Sequence, residues 1–328
     1  SNEAFLDRVY IVKVPYCMRS DEEIDIYKKL IKNSDLASAS CAPSTLELLA
    51  QFSVLTRMKD VENSSIVSKM KVYNGENLKD DDPHAKSYSE YREDAGVAEG
   101  MEGFSTRSAF KVLSQTFNWS ADEIAACPVQ MMAVLDKWIK QQQYDKDTED
   151  RYTGYLKSYI APTYKDVIEQ EIQKAYLESY DDLGQNIMER YIMYADAWIN
   201  DEDYRDAETG ISYDKTALNI ELEKMEKPMN IVNAKDFRNE VVKFYYRSKS
   251  NNNGNSPSWK EYEKLKRVIE KIMFSKTEDL LPVISFQKKS SQDLEEKHQG
   301  FVNRMCERGY TIKQVKRLVD WFMRYNKQ

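Results

Sequence analysis

An all-α fold with one β-strand at its start is what this sequence predicts, on three observations. Gly and Pro are scarce, 10 and 8 in 328 residues, under half the usual combined share of about 12%. Apolar residues recur at spacings of three and four along most of the chain, the period of a helix with one buried face. Only RVYIVKVPY is dense in β-branched residues, with Val9, Ile11, Val12 and Val14 running into Pro15, which ends any ladder. One strand cannot form a sheet, so the chain is expected to begin part-way through a domain.

Helical signals follow in order. Ser20 with Glu23 reads as a capping box for DEEIDIYKKLIKN. Pro43 suits a first helical turn before STLELLAQFSVLTRMK, whose Leu46, Leu49, Phe52 and Val54 mark an apolar face. Residues 73–104 hold few large aliphatics and four Gly, and predict a flexible insertion with short ordered pieces. Helices resume with STRSAFKVLSQTFN and, after Pro128, VQMMAVLDKWIKQQQ. From Asp147 to about Asn200 the pattern is almost unbroken, and Pro162 is expected to kink or divide it. Tyr152, Tyr155, Tyr159, Tyr164, Tyr176, Tyr191 and Tyr194 predict a helix-packing seam, with Met131, Met132, Met188 and Met193 as core filling. Further helices are placed near 214–226, 234–248 and 259–273, with NNNGNSPS as a linker. The chain closes with a helical pair, the first stopped by Gly309 and the second capped by Thr311 and Gln314.

Charge is uneven. The total is −7, but residues 250–328 carry 16 Lys/Arg against 10 Asp/Glu, leaving −13 on residues 1–249. The acidic total argues against a nucleic-acid-coating protein, and a basic tail on an acidic body predicts docking between unlike surfaces. Within the tail, Lys313, Lys316, Arg317 and Arg324 share the last helix and form a candidate basic docking surface. Four scattered cysteines without a C-x-x-C pair predict reduced thiols in a cytoplasmic protein. With two His, no metal site is expected. No run of 18 apolar residues predicts a membrane span. The acidic loop 201–213 begins like a calcium loop at Asp201 and Asp203, then fails with Arg205 at a ligand position.

There is no G-x-x-x-x-G-K-[ST], H-R-D or D-F-G set, HExxH or G-x-S-x-G, so no catalytic residue is expected within this chain. Two arginines carry the chemistry instead. Arg8 stands just before the lone strand. Arg107 follows Gly103 in G-F-S-T-R, where Ser105 or Thr106 can cap a new helix. In AAA+ ATPases an Arg before the last core strand commonly reaches a neighbour's γ-phosphate. Another, opening a lid helix in this pattern, commonly senses nucleotide on its own core. Arg suits both tasks because its planar donors and permanent charge match phosphoryl oxygens.

Beyond those motifs, NEAFLDRVYIVKVPYCMR, ENSSIVSKMKVYNGENLKDDDPHAKSYSEYR, GFSTRSAFKVLS, KDFRNEVVKFYYR and EKIMFSKTEDLLPVISF resemble the PrkA family of bacterial serine protein kinases over essentially the whole chain. The resemblance implies an upstream AAA+ module with ATP and Mg²⁺, a homo-oligomer and a protein substrate. It implies residues 1–18 as the last core strand, 19–146 as a lid-like region, 147–248 as a central helical body and 249–328 as a basic helical tail. Arg8 and Arg107 would then be nucleotide-sensing, and this chain a regulatory region without turnover of its own. Two other readings stay open: an unorthodox kinase domain with its own ATP site, and an interaction module for protein or nucleic acid.

Overall fold

The computed structural model describes residues 8, 12–177, 181–206, 210–229, 231, 233–275 and 277–326. The fold is mostly helical. In chain order the principal helices are α1 (Ser20–Lys32), α2 (Thr45–Arg57), α3 (Ile66–Tyr73), α4 (Tyr88–Ala95), α5 (Thr106–Phe117), α6 (Pro128–Gln141), α7 (Lys146–Tyr155) and α8 (Ala161–Leu177). They continue as α9 (Asp181–Asn200), α10 (Lys215–Glu226), α11 (Ala234–Asn251), α12 (Glu263–Ser275), α13 (Thr277–Ile284), α14 (Gln292–Glu307) and α15 (Ile312–Tyr325).

The expected first strand falls partly outside the described residues, which omit Val9 and Ile11. Residues 12–19 are irregular, and Val12 and Val14 are 66% and 78% exposed. No strand among the described residues pairs with them, so β propensity has no ladder to act on. The strands present are two-residue pieces. β1 (Ser40–Cys41) lies parallel to β2 (Ala125–Ala126), and β3 (Tyr204–Arg205) antiparallel to β4 (Ser212–Tyr213). The second pair gathers the acidic segment into a hairpin, of which residues 207–209 lie outside the description.

Two compact units divide the chain: Ser1–Glu169 with Met305–Gln328, and Gln170–Arg304. In the first unit α2 is buried on nearly every side, so its apolar face widens into a central core helix. α15 belongs to this unit as well. Its capping box is formed as expected, and Gln314 also donates from Nε2 to the Ala126 carbonyl at 2.9 Å. Residues 73–104 hold α4, started by a capping box of Ser87 and Glu90, with Tyr91 fully buried beneath it.

Pro162 does not break the helix it interrupts. A five-residue π-helical segment, Leu156–Ile160, joins α7 to α8. Proline lacks the N–H and would clash with the carbonyl four residues back; a wider turn relieves both problems. In the second unit α9 packs on α10, α11 and α12. Gly184 is required there because a Cβ would lie 2.6 Å from the Trp259 ring. Gln185 secures the same contact, accepting from Trp259 N and donating to Pro257 O, both at 3.1 Å. Met131, Met132 and Met188 are core residues, but Met193 is half-exposed and its sulfur accepts a hydrogen bond from Tyr204. No helix of the described residues is long and apolar enough to cross a membrane.

Candidate functional site

Arg107 sits where the sequence places it, in the first turn of α5. Ser105 caps that helix, its hydroxyl accepting from Ser108 N at 3.0 Å. The turn ahead of it is fixed by close backbone approach. Gly103 has φ +115, and a Cβ there would stand 2.6 Å from the Thr56 carbonyl oxygen and 2.9 Å from Arg57 Cα. Phe104 N donates to Thr56 Oγ1 at 2.9 Å, and the Phe104 ring is buried edge-on against Phe52. Only glycine fits this bend. The Arg107 side chain is exposed and has no hydrogen bond or ion pair to any described residue. The helix's first turn contains no acidic side chain. A cation there opposes the helix dipole, a cost that a bound phosphate would relieve.

Beneath the turn lies a network that residue spacing did not reveal. Arg57, the last residue of α2, is fully buried and forms a two-pronged ion pair with Glu23 of α1, Nη1 to Oε2 at 2.9 Å and Nη2 to Oε1 at 2.7 Å. Its Nε donates to the Phe104 carbonyl at 2.8 Å and its Nη1 to the Cys17 carbonyl at 2.8 Å. Thr106 Oγ1 donates to Glu23 Oε1 at 2.9 Å. Glu23 is therefore not a capping residue: Arg19 holds the cap position without a side-chain bond, and the carboxylate turns inward to the guanidinium. Burial alone would raise the Glu23 carboxyl; the hydrogen bonds and charge of Arg57 outweigh it and hold the group below the usual range.

Arg57 thus joins two segments. One is the stretch that follows Arg8, since Tyr16 N donates to Gly100 O and the Tyr16 ring lies under the guanidinium at 5.1 Å. The other opens the Arg107 helix. Arg8 is exposed in a turn whose neighbours lie outside the described residues. Arg57 ends a helix whose other charged residue is the exposed Glu47, and its acidic partner is 34 residues away, a separation to which no local pattern points.

The four basic residues of α15 do not act as one face. Lys313 is exposed, donating to the Asp122 carbonyl at 3.4 Å, and Lys316 is exposed as well. Arg317 and Arg324 instead line a cavity of about 670 Å³ with Trp321. Val315, Leu318 and Phe322 on the same helix are buried.

The family model described as the PrkA serine protein kinase C-terminal domain matches residues 67–321, and that described as the PrkA AAA domain matches residues 1–65. The chain belongs to the PrkA family. Within it, Glu23 and Arg57 fall in the AAA match and the Gly103–Arg107 turn in the C-terminal match, so the buried network crosses the boundary between them. The serine/threonine kinase YeaG of Escherichia coli K12 is 58% identical over 327 residues, covering 100% of this chain and 51% of the relative. The ATP-dependent protease PrkA of Bacillus subtilis 168 is 27% identical over 334 residues, covering 98% of this chain and 50% of the relative. The chain thus spans about half the length of these curated PrkA relatives. No solved structure matches it.

Proposed function

We propose that this chain is the regulatory and substrate-coupling region of a PrkA-type serine protein kinase. In the full-length protein an upstream AAA+ module would bind ATP and Mg²⁺ in a homo-oligomer. Arg107 would read nucleotide on its own core, and Arg8 would reach a neighbour's γ-phosphate. The observation that carries this reading is the exposed, unpaired Arg107 on a turn held by the buried Glu23–Arg57 pair. An immobile turn presenting a mobile cation is what phosphate sensing requires. The two relatives bear different activities in their names, a serine/threonine kinase and an ATP-dependent protease. Coupling of nucleotide state to substrate engagement is compatible with either chemistry.

The test is ATP hydrolysis by the full-length protein carrying Arg8→Ala or Arg107→Ala. A trans-acting arginine can contribute about 10³–10⁵ in rate, so Arg8→Ala is expected to abolish most hydrolysis. Arg107→Ala is expected to slow it and weaken its response to nucleotide. Wild-type rates in both variants would refute the assignment.

A further inference from the structure

Thr106, the residue just before Arg107, is tied down where its neighbour is free. Its hydroxyl donates to Glu23 Oε1 at 2.9 Å and accepts from Arg57 Nη2 at 3.5 Å. With that contact every N–H of the Arg57 guanidinium is committed. Nε serves the Phe104 carbonyl, Nη1 the Cys17 carbonyl and Glu23 Oε2, and Nη2 both Glu23 Oε1 and Thr106 Oγ1. The donors of a guanidinium point in fixed directions in one plane. Their partners on α1, around Cys17 and at the start of α5 are therefore held in one mutual orientation.

The stretch around Cys17 is clamped to the turn before Arg107 from a second side. Tyr16 N donates to Gly100 O at 2.8 Å, and Gly100 N donates to Arg57 O at 3.2 Å. Gly100 has φ +72, and a Cβ there would lie 2.9 Å from Met18 Sδ and 3.0 Å from Pro15 Cβ. Glu23 and Arg57 are sealed from solvent, so water does not replace a broken bond and each bond counts for more than at the surface. Residues 15–18 and 100–107 are thus joined through one buried polar centre. A close-packed interior transmits strain, so a displacement of one stretch either breaks these bonds or moves the other. Apolar side chains would fill the same space at lower desolvation cost; what directional bonds add is a fixed coupling of the two stretches.

We infer that Thr106, Glu23 and Arg57 form a relay, through which capture of a phosphate by Arg107 moves residues 15–18 together with the start of α5. The relay presupposes the roles proposed above for Arg107 and Arg8. Residues 15–18 lie between Arg8 and α1 in the chain. The reach of Arg8 to a neighbour's nucleotide then depends on the nucleotide held by its own subunit, and adjacent sites hydrolyse ATP in dependence on one another. Thr106 is a positioning residue in this scheme, because it acts through Glu23.

The experiment is ATP hydrolysis by the full-length oligomer over a range of ATP concentrations. The parent is expected to give a sigmoidal curve. Thr106→Val keeps the side-chain shape, removes the hydroxyl and leaves the Arg57–Glu23 pair; its melting curve checks the fold, and Thr106→Ala takes its place if valine strains the turn. Its curve should lose the sigmoid, with a Hill coefficient of about 1, and Thr106→Ser should restore the parental value. Ser68→Ala, which removes a buried hydroxyl bonded to Asp82 at 2.6 Å outside the relay, should keep the parental coefficient. A hyperbolic parent curve, a parental coefficient in Thr106→Val, no rescue by Thr106→Ser, or equal loss in Ser68→Ala would each overturn the relay. Wild-type hydrolysis in both Arg8→Ala and Arg107→Ala would remove the roles beneath it. Slowed hydrolysis in those two variants, with a sigmoidal Thr106→Val curve, would remove the relay alone.

Discussion

Among the described residues, a buried arginine–glutamate pair stands in each of the two units, and the two pairs are built for different ends. In the second unit Arg238 of α11 holds Glu226 of α10 through Nε and Nη2, both at 2.7 Å. Tyr191 of α9 donates to the same carboxylate at 2.8 Å, and Asn219 accepts from Arg238 Nη1 at 2.7 Å. The partners are 12 residues apart, and these further contacts are to side chains, as is that to the Trp198 ring at 4.4 Å. That pair locks neighbouring helices together. In the first unit Arg57 and Glu23 are 34 residues apart, and Arg57 also satisfies the main-chain carbonyls of Cys17 and Phe104. The same chemistry there fixes the course of two irregular segments, one of which presents Arg107. A buried ion pair is weak evidence for stability by itself; what it orients decides its meaning.

The largest effects should come from leaving one partner alone. Arg57→Met and Arg238→Met are each expected to cost about 3–5 kcal/mol in urea unfolding, because a carboxylate is left buried without its counter-charge. The double variants sharpen the comparison. Replacing both partners by apolar residues often restores stability, so Arg238→Met with Glu226→Leu should recover much of the loss, the Tyr191 hydroxyl being the fully buried group that then lacks its acceptor. Arg57→Met with Glu23→Leu should recover less, since the buried Phe104 carbonyl, the part-buried Cys17 carbonyl and the Thr106 hydroxyl all lose their partners. Equal recovery in both units would break the distinction.

Gly103→Ala comes next. Its left-handed φ and the 2.6 Å approach to the Thr56 carbonyl predict a loss of about 1–3 kcal/mol, with the melting temperature as readout. An alanine variant as stable as the parent would show that the turn before Arg107 is not tightly held.

The smallest effect is in acid, and it too separates the units. His298 in the second unit is held below its usual 6.5, chiefly by burial, with Nδ1 2.7 Å from the Val283 carbonyl. A depressed value means the unfolded chain takes up the proton first, so this contribution is full above about 6.5 and is lost as pH falls through the folded value. Glu23 in the first unit is also depressed, and its contribution is full above 4.5 and lost as pH falls through its lower folded value. Peptide-resolved hydrogen exchange should therefore show protection in residues 280–304 falling in milder acid than protection around Glu23. His298→Leu should remove the earlier step. Simultaneous loss in both regions would contradict the sign argument.

Most of the helices were legible in the sequence because the apolar period of α2, α5, α6 and α15 dominates everything nearby. The caps at Ser105 and at Thr311 with Gln314 were legible for the same local reason. Glu23 shows the limit of such reading. A Ser and a Glu three apart satisfy the capping pattern, yet the carboxylate serves an arginine 34 residues on. Pro162 shows another, because a proline signals a disturbance without saying whether the helix breaks or widens. The basic residues of α15 were visible as a group, but only packing separates Arg317 and Arg324 from Lys313 and Lys316. Arg107 was legible because a glycine, a cap and an arginine lie within five residues.

The role proposed for Arg107 is to sense nucleotide from a rigid mount. Its most direct test is Arg107→Ala in the full-length protein, with hydrolysis measured at saturating ATP alongside the melting temperature. The predicted result is an unchanged melting temperature with hydrolysis slowed about tenfold or more. A variant that hydrolyses ATP at the parent rate would contradict it.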